Sequence, residues 1–194
     1  KKRRISNRII TTDSEHPSVA NTAASLTAEG FEVVKIPTRG GALDMEALEK
    51  ELDRGALILS LMLVNNETGA RYDVERAFRM AHKKNPETVT HCDAVQGFMR
   101  VKFTPSSLDA DLVSVSAHKI HGPKGVGALC VAPGMIRSKR LAPVIYGGGQ
   151  EEGLRSGTEN LIGIAGFARA CAEARENAAR DAVHMDELYR HALD

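Results

Sequence analysis

Ala56–Val64 reads ALILSLMLV, an apolar run whose only polar member is Ser60. A strand with one face in water alternates apolar and polar residues, and this run does not alternate. It therefore reads as a strand buried on both faces, the kind found in parallel sheets covered by helices. On either side of this run, strand and helix patterns alternate along most of the chain. Arg8–Thr12 (RIITT) reads as a strand, Ser18–Glu29 as a helix closed by Gly30, and Phe31–Ile36 as a strand. Asp44–Leu52 is a helix ahead of the central run. After it come a helix over Asp73–Lys84, ended by Asn85-Pro86, and strands over Thr88–Cys92, Asp111–Ser116 and Gly125–Ala132. From Glu159 onward the chain is rich in alanine and strongly helical. The expected fold class is α/β, a mostly parallel sheet flanked by helices on both faces.

Composition narrows the function. The chain has 194 residues, enough for one sizeable core and the edge of a second, and a 42% hydrophobic content. Lys plus Arg number 26 against 25 for Asp plus Glu, a formal net charge of +1. That balance argues against nucleic acid or an acidic membrane surface as a partner. The opening Lys1-Lys2-Arg3-Arg4 reads as a solvated end. No apolar stretch is long enough to span a bilayer, and nothing resembles a cleavable signal. The chain does not begin with methionine, and it reads as a fragment. Cys92, Cys130 and Cys171 have neither metal-like nor CxxC spacing, which suggests reduced thiols and a cytoplasmic setting.

In open parallel sheets ligands collect beyond the carboxyl ends of the strands. The polar residues following each strand are therefore expected to converge: His16, then Asn65-Asn66-Glu67, then Asp93 with Gln96, then Ser116, His118 and Lys119. Each has an ordinary reading beside a chemical one. Lys119 is either a solvated loop charge or an amine partly desolvated at a strand end, which makes it a nucleophile. Asp93 either caps a turn or holds a proton on a heteroaromatic nitrogen. Gln96 orients a ring oxygen or sits exposed on a helix. His16 is a surface residue ahead of Pro17, or a flat ring placed against a cofactor. Asn65 and Asn66 suit a turn, with one of them facing the cleft. His91 and His121 read as structural, and His82, His184 and His191 as solvent-facing. The glycine-rich stretch Gly147–Gln150, followed by Arg155–Thr158, suits a phosphate-carrying loop but is weak evidence alone.

Five stretches taken in order carry more weight than any one. DSEHPSV (Asp13–Val19), LVNNETG (Leu63–Gly69), HCDAVQ (His91–Gln96), SAHKIHGPKG (Ser116–Gly125) and YGGGQEEGLRSGTEN (Tyr146–Asn160) resemble the class V aminotransferase family. This is a family of fold type I pyridoxal-phosphate enzymes, and the resemblance is closest to its NifS/IscS-like cysteine desulfurases. It implies that Lys119 bonds covalently to pyridoxal phosphate and then serves as base toward the substrate. It implies that Asp93 keeps the ring nitrogen protonated and that Gln96 and Asn66 lie near the ring oxygen. His16 would stack on the ring and protonate leaving groups, and Ser116 and His118 would bind the phosphate. Thr158 would reach the cofactor of a partner subunit, since the family works as a homodimer.

The implied reaction converts L-cysteine to L-alanine, with sulfur passed to an enzyme cysteine as a persulfide and then to an acceptor or scaffold protein. That cysteine lies beyond the matched region in the family, and Cys92, Cys130 and Cys171 all read as structural. The expected division is a partial cofactor-binding large domain over 1–158 and a helix over 159–194 leading toward a small domain. Such a fragment is expected to be inactive alone. Selenocysteine lyase, another class V aminotransferase or lyase, and a non-catalytic sulfur-transfer scaffold remain open. The sulfur's destination, iron–sulfur cluster assembly or tRNA thiolation, is also open.

Overall fold

The structure, a computed structural model, describes residues 6–193; the basic run Lys1–Arg4 lies outside them. The chain order is β1 (Arg8–Thr12), α1 (Pro17–Ser25), β2 (Glu32–Ile36), β3 (Thr38–Arg39), β4 (Ala42–Leu43), α2 (Met45–Asp53), β5 (Ile58–Met62) and α3 (Val74–Lys84). Then follow β6 (Val89–Asp93), β7 (Leu112–Ser116), β8 (Gly127–Val131), α4 (Pro133–Arg137) and α5 (Leu161–Leu193). Six strands form one sheet in the order β2-β1-β5-β6-β7-β8. All neighbours are parallel except β8, which returns antiparallel along β7. The expected mostly parallel α/β architecture is what the chain adopts.

The central run behaves as its composition requires. Leu59, Leu61, Met62 and Leu63 are all buried. Leu59 and Leu61 pair in register with Thr90 and Cys92, and Cys92 with Val113, so these side chains share one face. The core there is completed by Leu48 and Leu52 from α2 and by Val74, Ala77, Phe78 and Ala81 from α3. The opposite face carries Ser60, His91, Asp93 and Ser114. There His91 is hydrogen-bonded on both ring nitrogens, to Ser60 Oγ and to Ser114 Oγ, each at 2.8 Å. Burial pushes this imidazole below its ordinary pKa, so it is a neutral bridge across three strands, in keeping with a structural role.

Helix boundaries follow their caps. Asp44 and Asp73 accept hydrogen bonds from Ala47 N and Arg76 N and so start α2 and α3 from the N-cap position. The helix expected over Ser18–Glu29 is α-helical only to Ser25, then tightens into a 3₁₀ turn over Leu26–Glu29 before Gly30. Thr22, Ser25 and Thr27 bond to carbonyls one turn back, which competes with regular helix at that end. The small hairpin β3–β4 and the short α4 carry too little periodicity to be read from sequence. α5 begins where Asn160 Oδ1 accepts from Gly163 N. A Cβ at Gly163 would lie 2.3 Å from Val126 Cγ2, so only glycine lets α5 approach the loop before β8.

The connections diverge at one place. β1 leads outward to β2, and the chain then crosses back to β5 on the other side of β1. Loops leaving the ends of β1 and β5 therefore part in opposite directions and open a crevice between them.

Candidate active site

Four neighbouring parallel strands, β1, β5, β6 and β7, end on the same edge of the sheet, and the residues singled out by sequence follow them. Asp93 closes β6, paired with Met62 on one side and Ser114 on the other. It is only 8% exposed. One carboxylate oxygen accepts from Val95 N at 3.0 Å, the turn-capping bond, and no ion pair reaches it among the described residues. Capping and availability to a cation thus coexist in this side chain. Cys92 beside it is fully buried, and burial pushes its thiol far above the usual range.

Past Ser116 the chain enters a 3₁₀ turn, Ala117–Ile120, which carries His118 and Lys119. Ser116 Oγ is hydrogen-bonded to His118 Nδ1 at 2.8 Å, so the hydroxyl and the ring move as a pair. The turn is closed by His121 at φ +65° and by Gly122, where a Cβ would sit 2.9 Å from Ala117 O. Lys119 is half-buried, and its ammonium makes no ion pair among the described residues. Its carbonyl accepts from Arg100 Nη2 at 2.9 Å, while Arg100 Nη1 donates to Gln96 Oε1 at 3.3 Å. Arg100 therefore ties the Gln96 turn to the Lys119 turn. Gln96 lies in a turn after β6 rather than on a helix.

The crevice between β1 and β5 is closely fastened. Asn65 is buried, and its Oδ1 accepts from Glu67 N, Thr68 N and Thr68 Oγ1, which shapes the turn after β5. Its Nδ2 donates to Ser14 O at 3.0 Å, and Ser14 Oγ is hydrogen-bonded to Tyr72 OH at 2.9 Å. With Asn65 committed to the turn, Asn66 is the exposed one of the pair. His16 is exposed and caps α1, its Nδ1 accepting from Ser18 N. Glu15, between the two, is buried, and its Oε1 accepts from Thr12 Oγ1 at 2.8 Å and Met62 N at 2.9 Å.

The strand ends thus gather His16, Asn66, Asp93, Gln96, Ser116, His118 and Lys119 on one edge. Thr158 is exposed in the segment before α5, and among the described residues no hydrogen bond ties it to that edge. Nearby, Gly157 N donates to Gln150 Oε1 and Ser156 Oγ to Gly148 O, so the glycine-rich loop is held by its own side chains. Sequence reasoning passed over Glu15, Tyr72 and Arg100. Glu15 was visible as an acidic residue within a strand-end motif; nothing in the sequence marks Arg100. A groove of about 500 Å³ between α5 and the Met99–Arg100 and Ile120–His121 segments has Arg100 in its wall but none of the seven residues gathered on the edge. No group of three or more His, Cys, Asp or Glu residues among the described residues could hold a metal ion.

The whole of this arrangement falls within a match to the family model described as aminotransferase class-V, which spans residues 3–193. The chain belongs to the class V aminotransferase family. Cysteine desulfurase IscS of Anaeromyxobacter dehalogenans is 39% identical over 184 residues, covering 93% of this chain and 44% of that protein. A solved NifS-like protein superposes with a TM-score of 0.88 at 42% identity, covering 96% of this chain and 50% of that one. SspA, solved in complex with cysteine, superposes with a TM-score of 0.78 at 34% identity, covering 85% of this chain and 47% of that one. The chain thus spans about half the length of the relatives it matches.

Class V aminotransferases are pyridoxal-phosphate enzymes, and the residues present fit that group. A buried carboxylate without a cation is what a protonated ring nitrogen needs, and Asp93 supplies it. A hydroxyl and an imidazole fastened together beside an unpaired amine suit a phosphate next to an aldehyde carbon, and Ser116, His118 and Lys119 supply those. Asp93 would hold the ring nitrogen, Ser116 and His118 the phosphate, and Lys119 the carbonyl carbon.

Proposed function

We propose that the chain is the cofactor-binding body of a pyridoxal-phosphate-dependent cysteine desulfurase, which takes sulfur from L-cysteine and releases L-alanine. The observation that carries the reading is the pairing on one sheet edge of Asp93, buried with no cation, and Lys119, an amine with no ion pair. The desulfurase names of similar proteins and the cysteine complex of SspA support the substrate. The division into a large domain over 1–158 and a helix over 159–194 leading toward a second domain belongs to the same reading, as does a cytoplasmic setting.

Pyridoxal phosphate, when bound, supplies an electron sink for charge developing at the substrate's α-carbon. The chain's own residues do the rest. Asp93 would hold a proton on the ring nitrogen. Gln96 and Asn66 would lie near the ring oxygen, and His16 would stand at the ring and deliver a proton to the leaving group. Lys119 would carry the cofactor and take the proton from the substrate's α-carbon. A thiolate attacks the substrate sulfur: an S–S bond forms and the Cβ–S bond breaks. The released electron pair stays with the carbon skeleton, which takes up a proton and departs as alanine.

That thiolate is not one of the three cysteines here. Burial raises the thiol pKa of both Cys92 and Cys171, the wrong direction for a nucleophile, and Cys130 sits on β8, away from the ends of β1, β5 and β6. Thr158 serves the cofactor of a second copy. Val144, Tyr146, Leu161 and Ile162 are each more than two-thirds exposed, an apolar surface that such a copy would cover.

The test uses the chain loaded with pyridoxal phosphate and cleared of unbound cofactor. L-cysteine is expected to change its visible spectrum, with no such change in Lys119→Ala and no release of sulfide. An unchanged spectrum overturns the substrate assignment. Sustained sulfide release overturns the exclusion of the three cysteines as acceptor.

A further inference from the structure

We propose that Glu15 is a positioning residue of this site, fixing where His16 stands relative to Asp93 by fastening the end of β1 to the end of β5. The proposal rests on the reading of these strand ends as a pyridoxal-phosphate site. Among Asp13–Pro17 only Glu15 is buried; the residues on either side are exposed or half-exposed. Its Oε1 accepts two bonds, from Thr12 Oγ1 within its own strand end and from the backbone N–H of Met62 across the crevice. Met62 pairs in register with Asp93, and the next residue, Leu63, donates its N–H to Asp93 O at 2.9 Å. On the other side Glu15 is joined directly to His16, whose ring is already committed to capping α1. A line of bonds therefore runs from His16 through Glu15 and Met62–Leu63 to Asp93, across the point where the connections diverge.

The second carboxyl oxygen, Oε2, is buried with no hydrogen-bond partner. A full charge there, beside Asp93, would be costly. Burial pushes the Glu15 carboxyl up to about 7, against the lowering effect of the Met62 and Thr12 bonds and with the Asp93 charge adding to the rise. Cys92, the other titratable group facing it from β6, stays a neutral thiol. Near neutral pH Glu15 thus spends much of its time uncharged, and an acceptor oxygen, not an anion, is what the fastening needs.

Glu15→Gln keeps that oxygen; Glu15→Leu removes it at similar size. The readouts are the affinity for pyridoxal phosphate and the visible circular dichroism of the bound chromophore, which reports a fixed asymmetric environment. Far-ultraviolet dichroism monitors the fold. Glu15→Gln is expected to bind within about threefold of the unsubstituted chain with its visible signal intact. Glu15→Leu is expected to bind about tenfold more weakly, roughly the net worth of the two hydrogen bonds it removes, with the visible signal reduced. Thr12→Val, which removes one donor and perturbs the fold less, is expected to fall between them.

Equal behaviour of Glu15→Leu and the unsubstituted chain overturns the proposal, as does equal damage by Gln and Leu. If the unsubstituted chain takes up no cofactor at Lys119, the reading of the site itself has failed. The His16 imidazole resonances of the unliganded chain then decide separately whether Glu15 positions that ring: they are expected to move in Glu15→Leu and to hold in Glu15→Gln, and unmoved resonances in Glu15→Leu overturn the positioning role.

Discussion

Asp93 sits where a charge is expensive, at the buried end of a central strand, with one hydrogen bond and no cation among the described residues. Stability alone would favour a neutral residue there, and a cofactor nitrogen that must stay protonated favours the charge. Asp93→Asn should separate the two demands, since an amide oxygen still accepts from Val95 N. The melting temperature of the unliganded variant is expected to equal or exceed that of the unsubstituted chain, while affinity for pyridoxal phosphate falls at least tenfold. Loss of stability with unchanged affinity would place Asp93 in the fold rather than in the site. At this scale the sequence was legible where a residue followed a strand. His82, read as solvent-facing, was not. It is bonded to Asp109 and Asp111, carboxylates 27 and 29 positions away that no local pattern connects to it. Glu15 and Arg100 escaped for a related reason: beside a local partner, each is tied to a distant one, Met62 N and Lys119 O, that no local pattern connects to it.

The His82 cluster acts between elements, joining α3 to the start of β7. The hydrogen bond that the ring donates to Asp111 is the largest influence on it, outweighing the shorter one to the more exposed Asp109, and together they push the imidazole up to about 9. Burial raises Asp111, but His82 and Thr90 N more than offset this, and its carboxyl ends below the usual range. The folded-state value of His82 lies above its unfolded 6.5, so its stabilisation is complete below about pH 6.5 and fades as pH rises through 9. His82→Gln is expected to cost about 1–2 kcal/mol at pH 6, a figure reduced for partial exposure. The two proteins should converge above about pH 10. Denaturant unfolding across that range checks it, and a constant difference would mean that the imidazolium contributes nothing.

Elements were legible where periodicity was strong, as in Ala56–Val64 and Asp73–Lys84. The pieces that were not, the β3–β4 hairpin, α4 and the 3₁₀ turns after Ser25 and Ser116, are two to five residues long. Their shape is set by neighbours and by side-chain bonds to the backbone, not by a repeating pattern.

For the molecule as a whole, sheet order decides function more than any single motif. Five parallel strands deliver their ends to one edge, and the reversal between β1 and β5 opens that edge as a crevice. Among the described residues no helix is long and apolar enough to cross a membrane. The order of five motifs along the chain was sufficient to recognise the family, because each sits at or near a strand end or in the loop before α5. The bonds that hold those ends in register, through Glu15, Asn65 and Arg100, emerge only when the strands are side by side. If this edge is a pyridoxal-phosphate site, Lys119 is its covalent anchor. The most direct measurement is to add pyridoxal phosphate, reduce with borohydride and map the modified lysine by mass spectrometry. Label concentrated on Lys119, and lost from that position in Lys119→Ala, is the expected result. Label scattered over surface lysines such as Lys50, Lys84 and Lys124 would contradict the claim.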